Sequence, residues 1–312
     1  MKFELTILGS SSALPTSKRN LTAHVLNVYE RFFLIDCGEG TQAQLRKNRI
    51  PFGKINHIFI SHIHGDHIYG LFGLISSFNL LDRNRDLHIY AHQPLKKGLR
   101  YIMKHYEGKF SYTIHFHDLN TSKKEKIYED DHVEVYSFPL KHKIPTSGFL
   151  FREKAKTPNI KKSYVQKYSI PIRSIQKIKA GEDYITDDGT FLSHEELTYR
   201  PYKQRSYAFC TDTAYNEAII PHIEHVDLLY HEATFKNQHK DQAENTLHST
   251  AQQAATIAQK AQVKKLIIGH FSARYKSIED LKAEAISIFP NTVAAEDGMV
   301  ESLSPYKSKY PK

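Results

Sequence analysis

The sequence predicts an α/β protein in which strands and helices alternate along the chain and form layers around a core. Short apolar runs bounded by turn residues alternate with stretches of helical character. A histidine-rich segment follows one predicted strand directly, and single histidine or aspartate residues follow later strands. Among 312 residues, 25% are charged and 40% hydrophobic, as in ordinary globular proteins.

The elements are predicted in order from these apolar runs and their turn signals. Strands are predicted at residues 3–8, 23–28, 32–35, within 54–61, and at 87–91, 113–117, 133–138, 205–210, 228–231 and 265–268. Helices are predicted at residues 41–48, 69–81, 93–106, 250–261 and 277–288. Interleaving of this kind is typical of α/β layers and not of all-α or all-β proteins.

Residues 152–199 differ from the sequence around them and are predicted to be an insertion. The core would then comprise residues 1–151 and 200–312. Between 152 and 179 basic residues far outnumber acidic ones, and large aliphatic residues are sparse. Residues 187–190 read Asp-Asp-Gly-Thr, which is a hairpin turn signal. Composition leaves two structures open, a projecting arm or a long solvated loop.

Charge, cysteine content and hydropathy indicate the setting in which the chain works. The net charge of +9 favours a polyanionic partner such as nucleic acid. No apolar run approaches the roughly 20 residues that cross a bilayer, and the N-terminus does not resemble a signal peptide. Cys37 and Cys210 are too few for a disulfide framework and are predicted to be small buried residues near strand ends. We therefore expect a cytoplasmic protein that does not enter a membrane.

The strongest chemical signal follows a predicted strand and reads Ser61-His62-Ile63-His64-Gly65-Asp66-His67. Side chains alternate along extended chain, so His62 and His64 point to the same side. Gly65 allows a sharp turn that brings Asp66 and His67 back towards them. Imidazole and carboxylate ligands without a thiolate suit zinc or a similar metal at an open catalytic site. The alternative is a surface histidine cluster without function, which the strand-end position argues against.

This segment supplies part of two metal sites and completes neither. His142, Asp212 and His270 each follow a later predicted strand and are the candidates for the missing ligands. Taken singly, each is more often a structural residue, because strand ends commonly carry polar side chains. Taken together with the first segment, they complete two coordination spheres.

The spacing His62-x-His64-x-Asp66-His67, with the later His, Asp and His positions, resembles the metallo-β-lactamase superfamily. Asp36, at the end of a predicted strand, also matches that pattern. The resemblance implies an αββα four-layer sandwich with two mixed sheets face to face, helices outside and metals at one sheet edge. It implies two Zn²⁺ per subunit, one held by His62, His64 and His142, the other by Asp66, His67 and His270, with Asp212 bridging. Water between two zinc ions would ionise near neutral pH and could attack phosphorus.

Two further motifs resemble those of ribonuclease Z, the family that trims the 3′ ends of precursor transfer RNA. They read Tyr230-His231-Glu232-Ala233-Thr234 and Leu247-His248-Ser249-Thr250. Phosphodiester cleavage releases an alkoxide that needs a proton, which His248 could donate while Glu232 keeps it cationic. In a compatible structural interpretation, His248 precedes Ser249 and Thr250 as caps of the helix at 250–261. The catalytic residues implied are Asp66, a metal ligand and possible general base, with His248 and Glu232.

The resemblance extends to residues 9–16, 36–42 and 269–275 and implies contacts with RNA. Arg274 would bind a phosphate, and Arg19 and Asn20 match a loop that faces the RNA 3′ end, although Ser17 stands where lysine is expected. Lysines of an inserted arm would bind transfer RNA phosphates without reading sequence. The implied arm contacts are Lys161, Lys162, Lys167 and Arg173. The arm's usual Gly-Pro motif is replaced by Ile170-Pro171, so its tip is altered.

The function implied is a zinc-dependent endoribonuclease that cleaves precursor transfer RNA 3′ of the discriminator nucleotide and leaves a 3′-hydroxyl. A homodimer is also implied, in which the arm of one subunit presents RNA to its partner's site. The first alternative is a metallo-β-lactamase-fold phosphodiesterase of broader specificity, which would keep the metal ligands without needing the basic arm. The second is a metal-stabilised binding subunit, which would be expected to lose Asp66 or His248.

Overall fold

The computed structural model of the chain describes residues 2–107 and 110–305 and divides into two compact units. Of the described residues, the first unit comprises those within 2–153 and 205–303, and the second those within 154–204 and 304–305. Residues 306–312, which the sequence assigned to the core, lie outside the described residues. Within the described ranges, no helix is both long enough and apolar enough to cross a membrane.

The strands of the first unit form two seven-stranded sheets. Strands β1 to β9 are Phe3–Gly9, Ala23–Val28, Arg31–Ile35, Ile55–Phe59, Leu87–Ala91, Ile114–Asp118, Glu125–Glu129, Val133–Pro139 and Ser147–Glu153. After β10–β13 in the second unit, β14 to β18 are Ser206–Cys210, Leu228–Glu232, Leu266–Gly269, Thr292–Ala294 and Val300–Ser302. The sheet orders are β18-β1-β2-β3-β4-β5-β6 and β17-β16-β15-β14-β9-β8-β7. Both sheets are mixed, with β3 to β6 parallel in one and β14 to β17 parallel in the other.

The helices of the first unit lie among these strands in sequence. They are α1 Thr41–Lys47, α2 Gly65–Leu80, α3 Gln93–Ile102, α7 Ile220–Ile223, α8 Lys240–Thr246, α9 Ala251–Lys260 and α10 Glu279–Ile286. Helix α9 contacts β15 and β16, and α10 contacts α9 and β17. The predicted helix at 93–106 ends as an α-helix at Ile102 and continues as a π-helical turn over Met103–Glu107.

Two apolar clusters show how the layers are held together. On β3 the side chains alternate, so Phe33 packs in the cluster that also contains Phe151 and Phe209 of the other sheet. Leu34 faces the opposite way and packs with Leu71 and Ile75 of α2. The first cluster fills the space between the sheets and continues to α9 and α10 behind the second sheet, and the second cluster fills the space between the first sheet and its helices. This arrangement confirms the predicted αββα sandwich.

The second unit has its own secondary structure and core. Its elements are β10 Asn159–Ile160, α4 Lys162–Lys167, α5 Ile172–Ala180, β11 Tyr184–Ile185, β12 Phe191–Leu192, α6 His194–Leu197 and β13 Thr198–Tyr199. The predicted hairpin is present, because β11 pairs with β12 and Gly189 takes the left-handed conformation with φ 85°. Ile170, Ile178, Leu192 and Leu197 form a small buried cluster. The segment predicted as an insertion therefore has helices, short strands and a small apolar core of its own.

Strand β9 shows why some elements were missed from the sequence. It lies between β8 and β14 and is almost entirely buried, so it lacks the alternation of apolar and polar residues that marks a half-exposed strand. It also contains Gly148, against which the Phe138 ring packs so closely that a Cβ there would lie 2.5 Å from Phe138 Cε2. A glycine inside an apolar run usually argues against a strand. At position 148 the packing of the Phe138 ring explains why glycine is present.

Candidate active site

The ends of neighbouring strands bring the polar residues together. Parallel strands β14, β15 and β16 end at one sheet edge, where Asp212, Glu232 and His270 follow or close them. Asp36 follows β3 at the edge of the facing sheet. Asp36, Asp212 and His270 have φ values of 56°, 36° and 58°, a left-handed region uncommon for residues other than glycine. Strained backbone of this kind is frequent where side chains are held for function.

Seven of the predicted site residues lie in two adjoining groups with ligand atoms close enough for a metal. Within each group, the atoms lie within 4.8 Å of one another. One group is His62, His64, His142 and Asp212, and the other is Asp66, His67 and His270; a third set, Asp212, His248 and His270, meets the same distance limit and overlaps both groups. Asp212 faces both groups. Its Oδ1 lies 3.2 Å from Nε2 of His67 and 3.1 Å from Nε2 of His270, whereas its Oδ2 lies 3.5 Å from Nε2 of His62.

Asp36 and Ser61 orient two of these imidazoles from behind. Nδ1 of His67 lies 2.7 Å from Oδ2 of Asp36, so a proton on Nδ1 is donated to the carboxylate. The Ser61 hydroxyl donates to the same Oδ2 at 2.8 Å, which leaves its oxygen to accept from Nδ1 of His62 at 3.0 Å. Both imidazoles therefore carry a proton on Nδ1 and turn Nε2 towards the cluster, where it is a lone pair when a metal takes the place of any proton on it.

Two further imidazoles are oriented in the same way. Nδ1 of His142 lies 3.0 Å from the carbonyl oxygen of Leu247, which can only accept a hydrogen bond. The Thr234 hydroxyl donates to Oε2 of Glu232 at 2.6 Å, and its oxygen lies 2.9 Å from Nδ1 of His270. The Nε2 atoms of His142 and His270 are thus also presented as lone pairs, which is the arrangement that a metal-binding histidine requires.

Buried atoms and charge indicate that this donor set fits metal ions. Among the described residues, Nε2 of His67 and of His270 are buried and make no hydrogen bond of good geometry, although Oδ1 of Asp212 lies 3.2 and 3.1 Å away. Burial lowers the pKa of His67, but the carboxylates of Asp212, Asp66 and Asp36 outweigh it and hold that pKa well above its usual value. This corner therefore carries an excess of negative charge that cations would balance. Nitrogen and oxygen donors without sulfur suit zinc.

His248 and Glu232 form a buried pair beside the cluster. Nδ1 of His248 lies 2.8 Å from Oε1 of Glu232. The Glu232 side chain is fully buried and also accepts from the backbone N–H groups of Thr213 at 2.8 Å and Thr234 at 3.2 Å. Burial lowers the pKa of His248, but the Glu232 carboxylate outweighs burial and raises that pKa to about 9. His248 is therefore a cation near neutral pH and can donate a proton.

Of the two residues after His248 that were predicted to cap the following helix, only Thr250 does so. Its side chain accepts from Gln253 N at 3.2 Å, and the Gln253 side chain accepts from Thr250 N at 2.9 Å, so the two form a capping box at the start of α9. Ser249 does not cap the helix but donates to the Thr213 carbonyl at 2.7 Å. His248 lies before the cap and remains available to the cleft.

The cluster opens into a cleft of about 520 Å³. His64, Asp66, Asp212, His248 and His270 line its floor, and Leu14 and Tyr69 are among the residues that line the rest. The loop before Leu14 is attached to the cluster, since Ala13 N donates to Oδ2 of Asp66 at 2.8 Å. The cleft therefore joins the polar cluster to an apolar rim.

The predicted RNA contacts differ in how far they are exposed. Arg19 is buried, and its Nη2 donates to the carbonyl oxygens of Tyr275 at 2.9 Å and Ser272 at 3.4 Å. Asn20 donates to Asp297 through its backbone and its side chain. Both residues fasten their loop; Arg19 has little exposed surface, whereas Asn20 is half-buried and its contact with RNA stays a prediction. Arg274 is exposed and lies over the Phe235 ring, 4.9 Å from its centroid.

The four predicted arm contacts belong to the second unit. Lys161 precedes α4, Lys162 and Lys167 are its first and last residues, and Arg173 lies in the first turn of α5. All but the half-buried Lys161 are exposed. These positions are those of a basic surface within the second unit.

Two residues that the structure brings to the site have no role that the sequence predicts. Ser61 and Thr234 supply the hydroxyls that orient His62 and His270. Both lie inside motifs of the sequence, Ser61 directly before His62 and Thr234 two residues after Glu232, and no other signal marked them. Conversely, His231 of the motif at 230–234 is buried with Nδ1 2.8 Å from the Glu232 carbonyl, so it supports the strand end and does not face the cleft.

Known proteins are similar to this chain over nearly its whole length. A ribonuclease Z of Parabacteroides distasonis is 46% identical over 95% of this chain and 98% of its own. A ribonuclease Z of Bacteroides thetaiotaomicron is 45% identical over 98% of this chain and 96% of its own. The crystal structure of human tRNase Z, short form, has a TM-score of 0.72 and 27% identity, covering 96% of this chain and 99% of that one.

A second family matches the N-terminal part of the chain. The family model described as anti-Pycsar protein Apyc1 matches residues 3–191, a range that ends before Asp212, Glu232, His248 and His270. The metallo-β-lactamase fold protein YhfI of Bacillus subtilis has a TM-score of 0.70 at 16% identity, with 97% and 100% of the two chains covered, and this likeness shows the fold alone. The chain therefore belongs to the family that the Apyc1 model describes through residues 3–191 and, over nearly its whole length, to the ribonuclease Z family of metal-dependent endoribonucleases.

Proposed function

We propose that this chain cleaves precursor transfer RNA 3′ of the discriminator nucleotide, removes the 3′ trailer and leaves a 3′-hydroxyl. The observation that carries the proposal is the His248–Glu232 pair, 2.8 Å apart, beside seven residues grouped as metal ligands. A phosphodiester with an alkoxide leaving group needs such a proton donor. The 41–46% identity to ribonuclease Z proteins along the chain supports the same assignment.

We further propose two Zn²⁺ per subunit, with His62, His64 and His142 at one ion and Asp66, His67 and His270 at the other. Asp212 would bridge them, as its two oxygens face different groups. When bound, the ions would activate water for attack and offset charge on the phosphate oxygens. The support for zinc is chemical, since the donors are nitrogen and oxygen. In addition, the buried Nε2 atoms of His67 and His270 make no hydrogen bond of good geometry among the described residues.

The protein's own residues account for the proton transfers. The oxygen of water forms a bond to phosphorus while the bond from phosphorus to O3′ of the discriminator breaks. His248 donates its proton to that O3′, which becomes the 3′-hydroxyl, and the phosphate stays on the trailer. Glu232 positions His248 and keeps it charged before the transfer. Asp66, whose Oδ2 is held by Ala13 N, would take up the proton from water.

The RNA-binding residues and the assembly are also proposals. The second unit would act as the arm, with Lys161, Lys162, Lys167 and Arg173 on phosphates, and Arg274 would contact a further phosphate. The family resemblance favours a homodimer, for which light scattering should give about twice the subunit mass of 36.0 kDa. Free and buried Cys37 and Cys210 favour a reducing compartment such as the cytoplasm.

The deciding experiment is cleavage of a 3′-labelled precursor transfer RNA, with metal content measured on the same sample. We expect one cut directly after the discriminator, loss of cleavage when the metal is chelated, and recovery with Zn²⁺ at two ions per subunit. Hydrolysis of bis(p-nitrophenyl) phosphate serves as the control for the metal site. If that ester is hydrolysed but the RNA is not cut, the enzyme is the broader phosphodiesterase instead.

A further inference from the structure

Two large apolar side chains are exposed at the rim of the catalytic cleft. Leu14 is 65% exposed and Tyr69 is 63% exposed, and both line the cleft together with His248 and His270. Single exposed apolar side chains are ordinary, but two that line one cleft with polar residues are typical of a ligand-binding groove. Neither has a role in metal binding or in proton transfer.

The position of Tyr69 is set by the start of α2. The apolar side of this helix is buried through residues such as Ile68, Leu71 and Ile75, and Tyr69 lies on the side that the core does not use. Its ring rests on Gly65 one turn earlier, so closely that a Cβ at Gly65 would lie 2.3 Å from Cε2 of Tyr69. The ring is therefore held next to Asp66, which Gly65 precedes directly.

Leu14 is displayed by a loop that is tied to the same carboxylate. Ala13 has a φ of 53°, a conformation that is costly for a residue with a side chain, and its N–H donates to Asp66 Oδ2. This loop therefore places an apolar side chain in solvent at some cost and without a gain in packing. The hydrogen bond to Asp66 accounts for the strain, and a ligand in the cleft would explain the exposure.

We infer that the Tyr69 ring stacks against the nucleobase of a nucleotide that flanks the scissile phosphate, and that Leu14 packs against the same base. The inference rests on the proposed function, which places that phosphate on the cleft floor. Glu39 lines the same cleft, and its carboxylate would repel a phosphate, which favours the base over the backbone at this part of the rim. Because every base has a π face, stacking holds the nucleotide without selecting its identity.

The test combines Tyr69→Ala with precursor transfer RNAs that lack one base, either at the discriminator or at the first trailer nucleotide. Stacking on an aromatic ring predicts that Tyr69→Ala lowers kcat/KM on the intact precursor by about ten- to a hundredfold. On one of the two abasic substrates the same substitution should then change kcat/KM by less than about twofold, because the base that it contacts is absent. Tyr69→Phe should retain activity on all three substrates, since the ring is kept.

Tyr101→Ala is the matched control, because Tyr101 is 61% exposed on α3 and is not among the residues lining the cleft. It should leave all three substrates unaffected, and thermal melting with zinc content should show that each variant is folded and loaded. Equal cleavage of the intact precursor by Tyr69→Ala and the unsubstituted enzyme would overturn the inference but not the proposed function. The inference would also be overturned if Tyr69→Ala lowered kcat/KM on both abasic substrates by as much as on the intact precursor. Failure of the unsubstituted enzyme to cut the intact precursor would overturn the proposed function, and the inference with it.

Discussion

At the scale of single residues, the site depends on groups that hold the imidazoles from behind. Asp36 and the hydroxyls of Ser61 and Thr234 bind Nδ1 atoms, so the opposite nitrogen is free to bind a metal. Thr234 has a second contact, since it donates to Glu232. One hydroxyl therefore joins the proposed proton donor pair to a proposed metal ligand, which couples the geometry of both.

The role of His248 can be tested by changing the leaving group. We expect His248→Ala to slow cleavage of precursor transfer RNA by about 10²- to 10⁴-fold, which is the usual contribution of general acid catalysis. A substrate with sulfur in place of the bridging 3′ oxygen should be cleaved almost as fast by the variant as by the unsubstituted enzyme, because a thiolate leaves without a proton. Single-turnover rates on the two substrates provide the comparison. A similar loss on both would mean that His248 does not donate the proton.

At the scale of elements, the second unit carries a basic surface without a role in the chemistry. Its helices α4 and α5 are short, and a small apolar cluster of Ile170, Ile178, Leu192 and Leu197 supports them. Lysine and arginine side chains at such a surface bind RNA by releasing counterions, so their effect should depend on salt and not on base sequence. Binding and catalysis should then be separable.

We predict that replacing four basic residues of the second unit by glutamine weakens RNA binding without changing hydrolysis of bis(p-nitrophenyl) phosphate. The substituted residues are Lys161, Lys162, Lys167 and Arg173. The logarithm of the RNA association constant falls linearly with the logarithm of salt concentration. The slope of that line should become shallower by up to about 0.9 for each phosphate that the variant no longer neutralises. A control with the same change in net charge replaces Lys47, Arg49, Lys97 and Arg100 of the first unit. Equal weakening by both sets would contradict a specific role of the second unit.

At the scale of the whole molecule, one buried ion pair joins distant parts of the first unit. Arg205 donates to Glu153 through Nε at 2.9 Å and Nη2 at 3.0 Å, and through Nη1 to the Leu303 carbonyl at 2.8 Å. Tyr29 also donates to Glu153. Burial raises the pKa of Glu153, but the hydrogen bonds from Arg205 and Tyr29 outweigh it and keep that pKa below its usual value.

A lowered carboxyl pKa makes the stability of the folded state depend on pH. The contribution of Glu153 is present above the usual glutamate pKa of about 4.3 and is lost as the pH falls through the lower folded-state value. We expect Glu153→Gln to lower the free energy of unfolding by about 3–5 kcal/mol at pH 7, because it leaves a buried arginine without its counter-charge. The deficit in thermal midpoint should shrink as the pH is lowered below about 4.

Differential scanning fluorimetry between pH 3.5 and 8 would measure this effect. Glu30→Gln is the control, because Glu30 pairs with Lys54 at an exposed surface and its loss should change the midpoint little. A Glu153→Gln midpoint that equals the unsubstituted value at pH 7 would show that the pair does not stabilise the fold.

Much of the fold could be predicted because strands and helices are signalled by neighbouring residues. Strands β2 and β5 match their predicted bounds, and most other predicted elements differ by one or two residues. Helix α2 begins at Gly65, four residues before its predicted start, because the histidine motif itself forms the first turn. The short strands β17 and β18 were missed, since three residues carry too little pattern and pairing with longer strands defines them.

The sequence by itself determined the α/β class through residue type and local spacing. It also indicated the seven His and Asp residues and the His248 and Glu232 motifs, through positions after predicted strands and through resemblance to known motifs. Only the tertiary structure decided which hydroxyls and carbonyls hold those imidazoles, that Arg19 is buried, and that Leu14 and Tyr69 share a cleft. These contacts join residues far apart in sequence, such as His142 and Leu247, which are 105 positions apart. Local pattern does not encode such distances, since they depend on how two sheets pack and where their strands end.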